Sequence, residues 1–451
     1  MEFPKEFSER IRDMLGDDYS LFCDACEQEV FRGLRINTLK ADAEKVLPLL
    51  GYSVEPSLFC SDSYYIPSDV QSPGNNPLHH AGAFYIQEPS ASSAVEVMDI
   101  KPGDRVLDLC AAPGGKSTQI AAKLQGAGLL WSNEYVRSRV QPLISNIERM
   151  GITNAVVSSA HPEELCRSLE GYFDKVLVDA PCSGEGMFRK EPKALENWSV
   201  ENSKTCGQRQ LHILDSAALA LKDDGTLCYS TCTFSHYENE QVIEQFLKNH
   251  PEFEILDIKA QFGENGYLKY APNTPDIIKT RHIFPHNKGE GHYIALLHKK
   301  GEGTFEIEPA KAQKTPSVAT FEAFWEECFD CEKPSDSNVL CLNDKVYIIP
   351  DMPNVKNCGI IRSGVFAGEI KGNRFEPSHC LFAAFGKMAK NKLDLGISDE
   401  NLIKFLKGEE IECNDKKGYT ALLLEGIPLS FGKASSGKLK NHYPKGLRLI
   451  K

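Results

Sequence analysis

Two cysteines and an aspartate lie directly behind predicted strands, where side chains can meet in an active site. Cys182 lies in the segment VDAPCSGEG and Cys232 in YSTCT, each after an apolar run that is typical of a buried strand. Asp179 precedes Cys182 by three residues. A thiolate is a strong nucleophile, even though only a few per cent of a free thiol is ionised at neutral pH. The three residues therefore predict a reaction that depends on thiols.

Hydrolysis by a cysteine and a general base is one reaction that these thiols could perform. His236 follows Cys232 closely, but it is predicted to begin a helix and is not placed as its partner. Methylation of carbon 5 of a pyrimidine fits better. A thiolate that adds to carbon 6 makes carbon 5 reactive, and an acid near nitrogen 3 stabilises the adduct. A base must then remove the carbon 5 proton so that the first thiol can leave. Asp179, Cys182 and Cys232 match these three needs.

A glycine-rich loop follows the predicted strand RVLDLC and could bind a methyl donor. It resembles the end of a phosphate-binding P-loop, but Cys110 stands where a P-loop has glycine, and Pro113 lacks a backbone N–H. Small residues in the loop would let a ligand approach the backbone closely. The loop consists of Cys110, Ala111, Ala112, Pro113, Gly114, Gly115 and Lys116.

Glu134 ends the next predicted strand, GLLWSNE. An acidic residue roughly 20 residues after such a loop accepts hydrogen bonds from ribose hydroxyls. Together, the loop and Glu134 predict a nucleoside cofactor without a pyrophosphate, and S-adenosylmethionine is the favoured candidate. NAD would require the pattern GxGxxG, which this loop lacks. Another nucleotide, or a tight turn without a ligand, remains an alternative.

Strand-like and helix-like segments alternate between residues 101 and 248 and must position these groups. In the segment VRSRVQPLISNIERM, apolar residues recur at helical spacing, and Gly151 is predicted to end the helix. The alternation is typical of a parallel sheet with helices on both faces. Ligands bind beyond the carboxyl ends of the strands in such sheets. We therefore expect the loop, Glu134 and both thiols at one edge of the sheet.

The net charge of −12 over 451 residues argues against a general nucleic-acid binder with a basic surface. The segment 431–451 nevertheless contains no acidic residue, and we interpret it as an RNA-contacting patch, with a solvated tail as the alternative. Its cations are Lys433, Lys438, Lys440, Lys445, Arg448 and Lys451, and Phe431 and Tyr443 lie between them.

The loop after Cys182 contains two aromatic and two cationic residues that predict stacking on bases and contact with phosphates. Ordinary loop packing is the alternative. These residues are Phe188, Arg189, Lys190 and Trp198.

The cellular compartment is predicted from the same sequence. No run of about 18 apolar residues predicts a membrane span, and the charged N-terminal stretch lacks the apolar run of a signal peptide. Fifteen cysteines without an export signal indicate reduced thiols, so we expect a cytoplasmic protein without membrane association. The pairs Cys23/Cys26 and Cys328/Cys331 are interpreted as buried or unused thiols, with zinc or redox chemistry as the alternative, and no metal site is predicted.

The motifs DLCAAPGGK, NE, DAPCSG and STCT resemble those of the RNA cytosine-C5 methyltransferases of the Sun type, the family that includes RsmB and RsmF. The segments LRINTLK (34–40) and GAFYIQEPSA (82–91) look like the amino-terminal motifs of that family, so the resemblance extends over about two thirds of the chain. The tail LSFGKASSGKLKNHYPKGLR resembles the end of the RsmF branch, whose members carry a PUA-like RNA-binding domain there.

The resemblance assigns a role to each residue at the predicted edge. Cys232 matches the family nucleophile, and Cys182 matches the thiol that releases the product. Asp179 resembles the acid that contacts the base at nitrogen 3 and also lies at the cofactor. The loop 110–116 looks like the one around the methionine part of S-adenosylmethionine, and Glu134 looks like the ribose ligand. One departure concerns the place after the third strand where the family often has an acidic residue near the adenine. This sequence has His161 there, and an exposed loop histidine is the alternative reading.

The resemblance also implies an α/β fold: a Rossmann-like class I SAM-dependent methyltransferase core with an N-terminal α+β RNA-binding region and C-terminal small α+β and PUA-like domains. We expect an N-terminal RNA-binding region over 1–90, the methyltransferase domain over 91–300 and a linker over 301–317. A small α+β domain is expected over 318–388 and a PUA-like RNA-binding domain over 389–451.

The implied activity is S-adenosylmethionine-dependent methylation of RNA cytosine at carbon 5, on 16S rRNA near the decoding site or in the small ribosomal subunit, by a monomer. A tRNA cytosine-C5 methyltransferase is an alternative that no feature of the core excludes. A catalytically inactive RNA-binding assembly factor is a third reading, against which the intact set Cys182, Cys232, Asp179 and Lys116 counts. A uracil-C5 enzyme would not obviously need two thiols.

Overall fold

The computed structural model describes residues 3–303 and 317–449 of the chain. Most of the predicted linker, namely 304–316, and the terminal Lys451 lie outside the described residues. The described fold is a mainly parallel central sheet with helices on both faces, and smaller sheets precede and follow it. None of the helices in the two described ranges is long and apolar enough to cross a membrane.

The N-terminal region begins with two helices and continues as a small antiparallel sheet of order β2–β3–β1–β4. The first helix buries Phe7, Ile11 and Met14, which recur at helical spacing along one face. Its helices are α1 (Lys5–Leu15), α2 (Tyr19–Glu27), α3 (Ala43–Val46), α4 (Pro77–His80) and α5 (Ser93–Glu96). Its strands are β1 (Gly33–Ile36), β2 (Glu55–Pro56), β3 (Ser63–Tyr65) and β4 (Phe84–Ile86).

The central sheet follows the predicted alternation of strands and helices. Its parallel strands have the order β7–β6–β5–β8–β9, and the order changes direction between β5 and β8. The strands are β5 (Arg105–Asp108), β6 (Leu129–Asn133), β7 (Ala155–Ser158), β8 (Phe173–Asp179) and β9 (Leu221–Thr231). The helices are α6 (Gly115–Leu124), α7 (Arg137–Arg149), α8 (Pro162–Ser168), α9 (Pro192–Glu196), α10 (Val200–Ala220) and α11 (Glu240–Asn249).

Helix α7 illustrates why these segments fold as predicted. Val140, Leu143, Ile144 and Ile147 are buried, because helical spacing turns them towards the sheet. Gly151 follows the end of the helix with a φ of 72°, a left-handed conformation that glycine adopts without steric cost. The predicted helix stop is therefore present.

An antiparallel extension completes the β9 side of the sheet, where the strand His292–Lys299 pairs with β9. The strands in this part are β10 (Phe253–Ile255), β11 (Glu264–Asn265), β12 (Arg281–Ile283) and β13 (His292–Lys299). The polar segment Asp223–Gly225 lies inside β9 rather than at the end of helix α10. The helix ends earlier because Leu221 already pairs with Phe173 of β8.

The small α+β region joins the central sheet rather than folding beside it. Its strand β16 pairs antiparallel with β7, with Ile360 opposite Ser158 and Ser363 opposite Val156. The other strands form a sheet of order β14–β15–β17–β18. The elements are α12 (Ser317–Cys328), β14 (Val339–Leu342), β15 (Lys345–Ile348), β16 (Ile360–Ser363), β17 (Val365–Lys371), β18 (Arg374–Pro377) and α13 (His379–Phe385).

The C-terminal region contains a sheet of order β19–β21–β22–β23–β20 and one helix that packs within the same apolar core. Its strands are β19 (Lys392–Leu395), β20 (Ile411–Glu412), β21 (Gly418–Leu424), β22 (Ile427–Ser435) and β23 (Lys438–Asn441), and its helix is α14 (Glu400–Leu406).

Apolar cores are shared between regions that are distant in sequence. Leu34 of the N-terminal sheet and Leu422 of the C-terminal sheet belong to one core. Phe382 of the small α+β region and Phe431 of the C-terminal region belong to another, and their rings stack with centroids 4.6 Å apart. Burial of such surfaces stabilises the arrangement by about 25 cal/mol per Å² of apolar area. The regions therefore form one packed unit.

The predicted basic patch lies on ordered structure. Lys433, Lys438 and Lys440 are exposed on the hairpin of β22 and β23. Phe431 and Tyr443 are 2% exposed and belong to the apolar cores, so they hold the segment in the fold, and its contact with RNA stays a prediction. In β22 all residues from Ile427 to Gly432 are buried, and exposed residues begin at Lys433, where the strand reaches the end of the core.

Candidate active site

The two predicted thiols meet in one place. Strands β8 and β9 are parallel neighbours, with Asp179 opposite Ser230, so the segments after them leave the same edge of the sheet. The sulfur atoms of Cys182 and Cys232 lie 3.2 Å apart, and both side chains are half-buried. The Gly186 N–H donates to the Cys232 carbonyl over 2.9 Å and joins the two segments further.

Cys182 keeps its proton at neutral pH. The hydrogen bond to Cys232, together with burial, raises the pKa of Cys182 well above its ordinary value. Its S–H can therefore donate to the Cys232 sulfur.

Asp179 lies at the end of β8 and is held by two donors. Its Oδ2 is 2.8 Å from the Lys116 Nζ, and its Oδ1 accepts a 2.7 Å hydrogen bond from the Ser230 hydroxyl. Burial acts to raise the pKa of Asp179, but the Lys116 ammonium outweighs it, so the pKa is lowered. The same ion pair raises the pKa of Lys116 against the opposing effect of burial. Both groups are therefore charged at neutral pH.

The glycine-rich loop connects β5 to helix α6 and is braced from helix α7. Arg139 donates to the Ala112 carbonyl over 2.8 Å, and Asn146 donates to the Pro113 carbonyl over 2.9 Å. Gly114 has a φ of 113°, and a side chain at Gly115 would come within 3.3 Å of the Gln87 amide. The close packing explains why small residues are needed at these positions.

Sequence reasoning missed Asp108, the last residue of β5. Its carboxylate is fully buried beneath the loop, and its Oδ2 accepts a 2.7 Å hydrogen bond from the Ser117 hydroxyl. Its Oδ1 is a buried oxygen without a protein partner among the described residues, and burial raises the pKa of this group to about 7. An unpaired buried carboxylate oxygen beside a glycine loop fits a ligand with polar hydrogen atoms. The strand-end position was the available signal.

Arg35 is a second residue that the sequence did not single out. It lies on β1, inside the motif LRINTLK, and is 2% exposed. Its guanidinium donates to the Gly115 carbonyl over 2.9 Å and to the Thr118 hydroxyl over 2.7 Å. The N-terminal region is thereby attached directly to the cofactor loop.

Glu134 follows β6 at the same edge, as predicted. Its side chain is 5% exposed, one oxygen accepts from the Val136 N–H over 2.8 Å, and the other lies 3.2 Å from Arg139. Its carboxylate is therefore held rigidly next to the loop that Arg139 braces.

Tyr135, next to Glu134, is 62% exposed, and its ring lies 5.4 Å from that of His161 in an edge-to-face contact. His161 itself is exposed and stands before helix α8, so the structure places it near this edge without assigning it a ligand.

The residues after Cys182 do not form the predicted base-stacking surface. Phe188 and Trp198 are 2% and 9% exposed and pack on Phe7 of helix α1, so neither ring can stack on a base. Arg189 pairs with the buried carboxylate of Glu290 instead of a phosphate. The N-terminal helices cover this loop, which the local sequence could not reveal. Lys190 is half-buried.

The paired cysteines elsewhere in the chain lie within apolar packing. Cys26 and Cys328 are buried, and burial raises the pKa of each thiol to about 12. Within residues 3–303 and 317–449, no group of three or more histidine, cysteine, aspartate or glutamate side chains is placed to hold a metal ion.

The fold and the site together define a class of enzyme. A parallel sheet whose order changes direction beside β5 leaves a crevice at that point, and the glycine loop and Glu134 follow the strands at this edge, with Asp108 buried beneath the loop. These groups fit a nucleoside cofactor without a pyrophosphate. The chain is a class I S-adenosylmethionine-dependent methyltransferase, as predicted.

Comparison with known proteins identifies the family. The description "16S rRNA methyltransferase RsmB/F" matches residues 95–298, and "N-terminal domain of 16S rRNA methyltransferase RsmF" matches residues 3–89. The "RsmF rRNA methyltransferase first C-terminal domain" matches residues 323–385, and the "Methyltransferase RsmF PUA domain" matches residues 391–449.

Individual proteins agree with this result. The chain is 32% identical to "Ribosomal RNA small subunit methyltransferase F" of Vibrio parahaemolyticus, over 98% of this chain and 97% of that protein. It is 30% identical to the protein of the same name from Klebsiella pneumoniae, over 99% and 96%. A solved structure, the methyltransferase homolog protein from Pyrococcus horikoshii, is 27% identical with a TM-score of 0.59, over 66% of this chain and 95% of that chain.

The chain belongs to the RsmB/F family of methyltransferases, and its N-terminal and C-terminal regions are those of the RsmF branch. It is an S-adenosylmethionine-dependent RNA cytosine-C5 methyltransferase. The predicted family, fold class, enzyme class and cofactor are therefore confirmed.

Proposed function

We propose that this enzyme methylates carbon 5 of cytosine in 16S ribosomal RNA, through a covalent bond between the Cys232 sulfur and carbon 6 of the base. The observation that carries the proposal is the 3.2 Å separation of the Cys182 and Cys232 sulfurs on the edge that also presents Asp179. The target is supported by relatives named for the small-subunit ribosomal RNA, which match the chain over 98% of its length.

Cys232 begins the reaction as a thiolate, and its sulfur forms a bond to carbon 6. The electron pair of the carbon 5–carbon 6 double bond then makes carbon 5 nucleophilic. Asp179 is ionised, because Lys116 lowers its pKa, so its carboxylate accepts a hydrogen bond from the 4-amino group of the base. The loop 110–116 and Glu134 would hold S-adenosylmethionine, which would supply the methyl group to carbon 5 and leave as S-adenosylhomocysteine.

Cys182 ends the reaction. Its pKa is raised chiefly by its hydrogen bond to the Cys232 sulfur. Once that sulfur is bonded to carbon 6, it no longer accepts the hydrogen bond that holds the Cys182 proton, and this proton passes to solvent. The Cys182 thiolate then takes the carbon 5 proton, the double bond forms again, and the Cys232 thiolate departs. The order of events follows from the contact between the two sulfurs.

The assignment of the thiols is tested by trapping the covalent intermediate. Cys182→Ala should accumulate a protein–RNA adduct, seen as a slower band on a denaturing gel, because carbon 5 keeps its proton. Cys232→Ala should form no adduct, because the bond to carbon 6 is never made. Cys206→Ala, in a buried thiol outside the site, is the matched control and should behave like the wild type. Equal behaviour of the two site variants would contradict the roles.

The RNA target is tested separately. The purified enzyme should transfer labelled methyl groups to 16S rRNA or to small subunits that lack the modification, and not to tRNA. Bisulfite sequencing of both RNA classes from a deletion strain should show the loss of methylcytosine in 16S rRNA. Loss from tRNA alone would favour the tRNA methyltransferase alternative.

We infer that the enzyme acts as a monomer in the cytoplasm. The support for the monomer is that the loop 110–116, Glu134, Asp179 and both thiols are all contributed by one chain. A ribosomal RNA substrate, together with fifteen unpaired cysteines, supports a reducing compartment. Sedimentation at micromolar concentration would reveal a dimer and overturn the first point.

A further inference from the structure

A buried carboxylate lies directly behind the two thiols. Glu238, between β9 and helix α11, is 0% exposed. Its Oε2 accepts hydrogen bonds from the Ser183 N–H over 2.8 Å and from the Gln210 side-chain amide over 3.0 Å. Its Oε1 accepts from the Ser183 hydroxyl. One side chain thus holds both the backbone and the side chain of the residue that follows Cys182.

The same carboxylate is linked to the second thiol segment. The Ser183 hydroxyl lies 3.0 Å from the Thr233 hydroxyl, and Thr233 follows Cys232. Gln210 also donates to the Pro181 carbonyl over 3.0 Å, and the Tyr229 hydroxyl donates to the Glu238 carbonyl over 2.6 Å. The network therefore spans the residues next to both sulfurs.

Burying the Glu238 carboxylate costs free energy, which contacts in the fold must offset. Its three recorded donors are neutral groups, and burial raises the pKa of Glu238 to about 7. Buried acidic groups without a cationic partner are uncommon, because losing water of hydration disfavours the charge. Two of the three donors belong to Ser183, so the contacts that offset this cost hold one thiol segment in place.

The two thiol segments depend on this network to different degrees. Cys232 directly follows Thr231, which pairs with Tyr293 in the sheet. The Cys232 carbonyl also accepts a hydrogen bond from the Gly186 N–H. Cys182 lies three residues beyond the end of β8, and the residue after it is held by Glu238. Removing the carboxylate should therefore displace Cys182 more than Cys232.

We propose that Glu238 is a positioning residue that sets the place of the Cys182 sulfur for the release of the product. The inference rests on the proposed roles of the two thiols. Loss of Glu238 should leave the bond between Cys232 and carbon 6 able to form, while removal of the carbon 5 proton becomes slow. A displacement of about 1 Å at a reacting group costs on the order of a hundredfold in rate.

The test is accumulation of the covalent RNA adduct in an enzyme that retains both cysteines. Glu238→Ala should accumulate adduct on a denaturing gel with S-adenosylmethionine and unmodified RNA. Its kcat should fall on the order of a hundredfold, and KM for RNA should fall with it, because only the step after adduct formation is slowed. Glu238→Gln keeps the shape and one acceptor oxygen, so it should restore most of the release rate. An Ala variant that turns over slowly without adduct would overturn the proposal.

Matched variants separate positioning from general damage to the fold. Glu240, two residues further on, is an equally buried carboxylate that accepts from His282 over 2.7 Å and from the Tyr267 N–H over 3.1 Å. Glu240→Ala should lower stability without accumulating adduct. If Glu238→Ala does not fold, Ser183→Ala decides, since it removes the hydroxyl link: adduct above the wild-type level supports the proposal, and wild-type behaviour refutes it.

Cys182→Ala in the same gel distinguishes a failure of the proposed thiol roles from a failure of the proposed role of Glu238. If Cys182→Ala itself accumulates no adduct, the proposed roles of the thiols fail. If it accumulates adduct and neither Glu238→Ala nor Ser183→Ala does, only the role of Glu238 fails.

Discussion

The buried carboxylate of Asp108 should make the stability of the protein depend on pH with a predictable sign. Burial raises its pKa from an ordinary 3.8 to about 7, so the folded protein binds this proton more tightly than the unfolded chain. The protonated carboxyl group of Asp108 stabilises the fold fully below its pKa of 3.8 in the unfolded chain. This contribution is lost as the pH rises through the folded pKa of about 7. Replacing the group with a neutral side chain of the same shape should remove this dependence.

The variant is Asp108→Asn, compared with the wild type at each pH. A difference of one pKa unit corresponds to about 1.4 kcal/mol, so the two units between pH 5 and pH 7 give about 3 kcal/mol. The free energy of unfolding of Asp108→Asn, relative to the wild type, should therefore increase by about 3 kcal/mol from pH 5 to pH 8. Titrating groups that do not interact with Asp108 cancel in the difference.

Urea unfolding without cofactor at several pH values measures this quantity. Asp179→Asn provides a control of opposite sign: Lys116 outweighs burial and lowers the pKa of Asp179, so this carboxylate stabilises the fold above its unfolded pKa and loses that effect as the pH falls. The penalty of Asp179→Asn should shrink in acid. Parallel curves of stability against pH for the wild type and Asp108→Asn would refute the reasoning.

Two further predictions concern the cofactor and the packing of the regions. Glu134→Gln should weaken S-adenosylmethionine binding by about tenfold, or about 1.4 kcal/mol, because a charged acceptor for ribose hydroxyls is lost; an unchanged Kd by titration calorimetry would exclude Glu134 as a ligand. Phe382→Ala should cost about 3–5 kcal/mol, because the ring is buried and stacks on Phe431 of the next region. The small α+β and C-terminal regions should then lose stability together in thermal unfolding, and a shift of one region alone would contradict the shared core.

The catalytic edge could be predicted from local patterns. A run of alternating strands and helices predicts a parallel sheet, and residues directly after parallel strands must leave the same edge. Cys182, Cys232 and Asp179 therefore meet as expected, and Lys116 pairs with Asp179. Because these residues directly follow predicted strands, their common position at one edge could be predicted without knowing any contact between distant segments.

The base-stacking prediction for Phe188 and Trp198 is wrong because burial depends on distant parts of the chain. Phe188, Trp198, Phe431 and Tyr443 lie among charged residues in the sequence, which is typical of an exposed binding surface. All four are buried, because elements far away in the chain cover them: helix α1 covers the first two, and the neighbouring regions cover the others. Whether a residue is buried depends on which part of the folded chain packs against it.

The sequence by itself determined the order of the strands and helices, the edge at which the chemistry lies, and the side chains available there, because strand ends and small-residue loops are local features of the chain. Only the tertiary structure decided which groups support them. Asp108 lies beneath the loop and is identified by its contact with Ser117. Arg35 of β1 and Glu238 behind the thiols are identified by contacts with segments 50 or more residues away in the chain. Such contacts form when the apolar surfaces of separate regions are buried together, and no local spacing encodes them.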